Sequence, residues 1–135
     1  MPNVKAQMTN EAQISNGKKL YDLEARTARF GEDIIGFLKR LKTNAISKPL
    51  ITQLVRSSTS IGANYMEADG AESKKDFIYK ISLVKKEAKE TKHWLRMIAK
   101  ANPDKKDHLR VLWKEAQELT LIFSSIINST RNNVK

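Results

Sequence analysis

The side chains able to do chemistry in this chain are few: two histidines, His93 and His108, no cysteine, and a scatter of serines and carboxylates. Glu90 and His93 stand in the Glu-x-x-His spacing that lets one helix offer a carboxylate and an imidazole to a metal. A di-metal carboxylate bundle needs two such pairs and two further acids, all aimed inward. His108 has Lys105 three residues before it, and His93 is expected on an outward helix face, so neither metal nor any other cofactor is expected. Without cysteine there are no disulfides, thiol nucleophiles or thiolate ligands, which fits a reducing compartment. The serines lack a paired base in an identifiable nucleophile turn. The Ser- and Gly-rich run SSTSIGAN, residues 57–64, lacks the GxxxxGKS/T pattern of a phosphate loop and lies inside a helical period. Glu67, Glu87 and Glu90 have the chemistry for acid–base work, but salt bridges to Lys74, Lys75 or Arg56 account for them more simply. The chain reads as a non-enzyme.

A different chemistry is concentrated along residues 74–101, KKDFIYKISLVKKEAKETKHWLRMIAKA. Lys85, Lys89, Lys92, Arg96 and Lys100 recur at helical spacing and fall within roughly 80° of one another on a helix. No acid interrupts them, although like charges at these spacings each cost about 0.2–0.5 kcal/mol. A solvated lysine face is the plain explanation; a surface for phosphates, or for an acidic protein, is the functional one. Net charge is +10, and it is unevenly placed: residues 74–114 hold 13 Lys/Arg against 5 Asp/Glu, which is 13 − 5 = +8. Lys105, Lys106, Arg110 and Lys114 extend the cationic run into the following helix. Trp94 and Trp113 are able to stack on bases, but their helical spacing beside a seam suits core or interface anchors better.

The elements that must position these residues are helices. Phe77, Ile81, Val84, Ala88, Thr91, Leu95 and Ile98 alternate steps of four and three, which predicts a helix over 74–101 packing one seam into a bundle. Ser73 is its predicted N-cap, with Asp76 at the third position. Upstream, Leu20, Leu23, Thr27, Phe30, Ile34, Phe37 and Leu41 predict a helix from Asp22, its cap, to Lys42; close approach of a neighbour explains Gly31 and Gly36. A second helix is expected over 48–68, capped by Ser47 with Pro49 in its first turn, and stopped at Asp69-Gly70. Its small residues permit close packing, and their hydroxyls can bond back to i−4 carbonyls. After Asn102-Pro103 a fourth helix, 103–129, carries Leu109, Leu112, Ala116, Leu119, Phe123 and Ile126. The expected fold is all-α: an up-down-up-down antiparallel four-helix bundle over residues 20–130, between a mobile polar segment 1–19 and a frayed tail 131–135.

Helices one and four carry apolar residues beyond one seam: Ile35 and Leu38, then Val111, Trp113, Leu121 and Ile122, with Thr120 and Ile127 flanking. Surplus apolar surface predicts a homo-oligomer with these residues at its interface. No stretch approaches the roughly 18 apolar residues of a membrane span, and the N-terminus lacks an apolar signal core. A cytoplasmic, soluble protein is expected.

Residues 53–98, with RSSTSIGANYMEA and ESKKDFIYKI as the specific stretches, closely resemble the bacterial four-helix-bundle proteins first noticed in intervening sequences of 23S ribosomal RNA genes. The resemblance continues through LWKEAQELTLIFSSIINST and back to DLEARTARF. It implies small helical bundles assembled into rings, typically pentamers, without enzymatic activity. A related branch, the accessory protein of diversity-generating retroelements, is a basic pentamer that works with a reverse transcriptase and nucleic acid. The expectation is therefore an oligomer binding RNA or another nucleic acid through its Lys/Arg stripe. The alternative is a ring that docks a protein partner such as a polymerase-like enzyme.

Overall fold

The computed structural model describes residues 22–133. Among them the chain forms α1 (Leu23–Leu38), α2 (Ser47–Asp69), α3 (Lys74–Ala101), a 3-10 turn (Pro103–Lys105) and α4 (Lys106–Asn132), with no strand. The expected N-terminal segment 1–19 lies outside the described residues. So do positions 134–135 of the expected tail, whose residues 131 and 132 continue α4.

Contacts between helices give their directions. Glu67, late in α2, meets Lys80 early in α3, whereas Arg56 meets Glu87 and Glu90 further along. Phe37 at the end of α1 packs edge-on against His108 at the start of α4, while Arg26 near the start of α1 reaches Glu115 and Glu118. Both pairs of helices are therefore antiparallel, and so are α1 and α2, where Gly31 lies against Ser58 and Gly62 against Thr27; the bundle is up-down-up-down. The Arg26 guanidinium donates to both Glu115 oxygens at 2.9 Å and to Glu118 at 3.0 Å. Those bonds, that to Glu115 foremost, hold its pKa above the ordinary range against the opposing effect of burial.

Helix boundaries follow local chemistry. Asp22 caps α1 by accepting from the Glu24 N–H, and Ser73 caps α3 by accepting from the Asp76 N–H at 3.0 Å. At α2 the expected Ser47 cap is replaced by Asn44. The Asn44 Oδ1 accepts from the Ile46 and Ser47 N–H groups, and the Asn44 N–H donates back to the Ser47 Oγ at 3.0 Å. This reciprocal pairing is a capping box moved three residues upstream, and Ser47 is its buried partner rather than the cap. Helix α1 stops at Leu38, short of the expected Lys42, with Lys39 as its C-cap. Asn102 ends α3 by donating from both its backbone and its side-chain amide to the Ile98 carbonyl.

The predicted seam of α3 is its buried face, residue for residue: Phe77, Ile81, Val84, Ala88, Thr91, Leu95 and Ile98. With Leu54, Ile61 and Tyr65 of α2 and Leu119 and Phe123 of α4 it forms the core. Burying each large apolar side chain contributes about 1.5–3 kcal/mol. Within α2, Thr59 and Ser60 hydroxyls donate to the carbonyls four residues back at 2.7 Å, as expected. The Ser57 and Thr91 hydroxyls, 2.9 Å apart, satisfy one another inside the α2–α3 contact. At Gly31 a Cβ would make ordinary contact with the Ser58 carbonyl at 3.7 Å, so helix approach alone does not demand glycine there, and at Gly36 it would meet nothing within 4 Å. The closest approach of α1 and α2 at a glycine is at Gly62, with Thr27 Oγ1 3.4 Å from its would-be Cβ.

Candidate nucleic-acid interface

The cations of α3 occupy the flank turned toward α4. One turn of geometry accounts for this: the stripe lies roughly 100° round the helix from the buried seam. The opposite flank of α3, with Lys80, Glu87 and Glu90, is occupied by α2. Lys92 shows the direction most directly. Its ammonium donates to the Gln117 Oε1 of α4 and sits 5.4 Å from the Trp113 ring centroid. Lys89, Arg96 and Lys100 are exposed and Lys85 is half-buried.

From the other side of the groove, α4 supplies Lys106, Arg110 and Lys114, all exposed, with Lys105 in the preceding turn. The nine cations thus form one surface over two adjacent helices. Within it, only weak local ion pairs occur among the described residues: Lys105 with Asp104 at 4.0 Å and Arg110 with Asp107 at 3.8 Å. The stronger pairs are elsewhere. Glu115 and Glu118 are taken by Arg26 on the α1 side, and Glu87 and Glu90 by Arg56 on the α2 side. Glu67 pairs with Lys80 rather than with the expected Lys74 or Lys75, and that bond holds the Lys80 ammonium above its ordinary pKa. Four carboxylates of α3 and α4 are thus turned to arginines on the α1 and α2 sides, while the nine cations have only Asp104 and Asp107 as ion-pair partners among the described residues.

Between α3 and α4 the basic surface is indented. Leu95, Ala99, Leu109 and Trp113 line a cleft of about 430 Å³, edged by Arg96, Lys106, Arg110 and Lys114. Sequence reasoning found the cations but not this cleft, because its floor is assembled from residues about fourteen positions apart on two helices. A second groove, about 370 Å³, lies between α1 and α2 beside Gly31 and Gly62. Glu24, Glu32, Ile35 and Met66 line it.

The expected oligomer-interface residues separate into three groups. Leu38 and Ile122 are buried within the single chain, at 8% and 7% exposure, because α1 and α4 bury a face wider than one seam; Thr120 and Ile127 join them. Ile35, Val111 and Leu121 remain exposed. Trp113, 39% exposed, belongs to the cationic cleft. Trp94 is half-buried against the core and donates its indole N–H to Glu90 at 3.0 Å. His93 is exposed with its ring edge against Trp94, and no three His, Asp or Glu side chains gather as a metal site among the described residues. No described helix is long and apolar enough to cross a membrane.

Comparison with known proteins agrees with the fold. No curated protein matches the chain. A crystal structure from Bacteroides thetaiotaomicron VPI-5482, described as a protein of unknown function from the S23 ribosomal protein family, is 28% identical and superposes with a TM-score of 0.69. The match covers 78% of this chain and 98% of that one. Residues 21–125, α1 through most of α4, match the family described as 23S rRNA-intervening sequence protein, and the chain belongs to that family.

Proposed function

We propose that this protein is a non-enzymatic, cytoplasmic RNA-binding oligomer whose α3–α4 face neutralises phosphates. The observation that carries the reading is the union of Lys85, Lys89, Lys92, Arg96 and Lys100 with Lys105, Lys106, Arg110 and Lys114 on one side of the bundle. Gathering nine cations with only Asp104 and Asp107 paired among them costs a merely solvated surface like-charge repulsion, whereas a polyanion gains affinity from every counterion released. Such contacts fix position and strength with little sequence readout. Structured RNA is the natural ligand given the family resemblance, and five subunits is the ring size that resemblance implies.

Oligomerisation would repeat the basic face and multiply weak contacts through avidity. Exposed Ile35, Val111 and Leu121 support an interface that uses α1 and α4 outside the cationic cleft. Light scattering at micromolar concentration should give a mass several times the 15.4 kDa of one chain; a monomer would end this part of the proposal.

The test of binding is a titration of nuclease-treated protein into a labelled structured RNA, followed by anisotropy at several salt concentrations. Tight binding that weakens steeply with salt is the expected result. Absence of binding at low salt would overturn the reading and leave the basic face to an acidic protein partner.

A further inference from the structure

We infer that the cleft between α3 and α4 receives an unpaired nucleobase, so that the ligand is RNA with single-stranded or bulged nucleotides rather than continuous duplex. The inference rests on the RNA-binding reading and adds to it the state of the nucleic acid. Phosphates alone account for the rim of the cleft but not for its floor. Half-buried Ala99 and the partly exposed Trp113 indole present apolar surface above the buried Leu95 and Leu109, in the middle of the cationic field. A phosphate seated there would exchange water for hydrocarbon. A base offers a flat apolar face to the floor and to the indole, while its own backbone stays at the rim among Arg96, Lys106, Arg110 and Lys114.

Size favours a base over a peptide helix. The apolar floor runs from Leu95 to Ala99 on α3 and from Leu109 to Trp113 on α4, about 6 Å along each helix axis. A docked amphipathic helix is read through anchors from i to i+7, which span about 10 Å. The volume, about 430 Å³, lies in the range of small-ligand sites. Arg96 and Arg110 suit the rim because guanidinium groups hold phosphate oxygens in pairs and also stack on bases. In a duplex the base faces are already stacked and out of reach, so only an unstacked nucleotide fills the cleft.

Trp113 and Trp94 are the two tryptophans of the chain, so Trp94→Phe makes Trp113 the sole tryptophan reporter. Three probes of equal length are titrated at low salt: a single-stranded RNA, its duplex, and an abasic ribose-phosphate strand. The expected result is saturable quenching of Trp113 by the single strand and none by the abasic strand. Trp113→Leu should weaken single-strand binding roughly 5- to 150-fold, the range for loss of one stacked base, and leave duplex binding unchanged. Trp113→Phe, which keeps an aromatic face, should restore most of the loss, and circular dichroism should show both variants folded. Equal single-strand affinity of Trp113→Leu and the parent, with unchanged emission, would overturn the cleft assignment while salt-dependent binding kept the basic-face reading intact. Failure of all three probes to bind would overturn both. Quenching of Trp113 by an acidic amphipathic peptide, with none by RNA, would assign the cleft to a protein partner instead.

Discussion

Replacing Lys85, Lys89, Lys92 and Arg96 together by glutamate tests whether the α3 cations meet phosphates. Lys85 and Lys100 are fifteen residues apart, which places the ends of the stripe about 22 Å apart along the helix. At about 3.4 Å per phosphate along a stacked strand, that length covers roughly six phosphates, enough to engage all five cations. Each neutralised phosphate contributes about 0.7–0.9 to the slope of log K against log salt. The five stripe contacts contribute about −4 to the slope, and so about 100- to 500-fold of the loss of affinity between 50 and 200 mM salt. Removing four of them should flatten the slope by about 3 and weaken binding at 50 mM by roughly 10³- to 10⁴-fold. The fold should survive, because three of the four side chains reach no partner within the described bundle and Gln117 has an amide that can donate to a carboxylate at position 92. Net charge falls from +10 to +2, since 10 − 8 = 2, so a control must change it equally. Reversal of the exposed Arg29, Lys39, Arg40 and Lys48, which lie on α1, just after it and at the start of α2, does this. Anisotropy with one structured RNA compares the three proteins. Equal losses in the two variants would reduce the effect to net charge, and an unchanged slope in the α3 variant would refute phosphate contact by the stripe.

Two further expectations concern the scaffold. The Arg26–Glu115 pair joins α1 to α4 through two charge-assisted hydrogen bonds of 2.9 Å, so a double-mutant cycle with Arg26→Met and Glu115→Gln should give a coupling of about 1 kcal/mol in urea unfolding. Coupling near zero would show the tie to be dispensable. Gly36→Ala should raise stability by about 1 kcal/mol, since Ala is the better helix former and the new Cβ meets nothing. Gly62→Leu should lower it by about 1–3 kcal/mol, because atoms beyond a Cβ already 3.4 Å from Thr27 Oγ1 must push α1 away. Similar melting temperatures for the two variants would show that α1 and α2 are not in close contact.

The helices, their antiparallel order and the buried face of α3 were legible in the amino-acid sequence because a helix in a small bundle buries one stripe, and the period of that stripe is local information. The cationic line was legible for the same reason, as were the Asp22 and Ser73 caps, which act within three residues of themselves. Ser47 misled because its hydroxyl accepts a backbone N–H as a cap would, yet it does so as the third residue of a box whose cap is Asn44. Gly31 and Gly36 look alike as helical glycines, and only the position of α2 makes the first a contact and leaves the second open. Likewise, Leu38 and Ile35, or Ile122 and Leu121, are equally apolar neighbours on their helices, and their fates diverge with the rotation of each helix against its partners. Periodicity thus fixed what lies on each helix face, by local geometry alone. Only the tertiary packing decided which flanks meet, and so brought the cations of α3 and α4 together around Trp113, because a groove between two helices exists on neither of them.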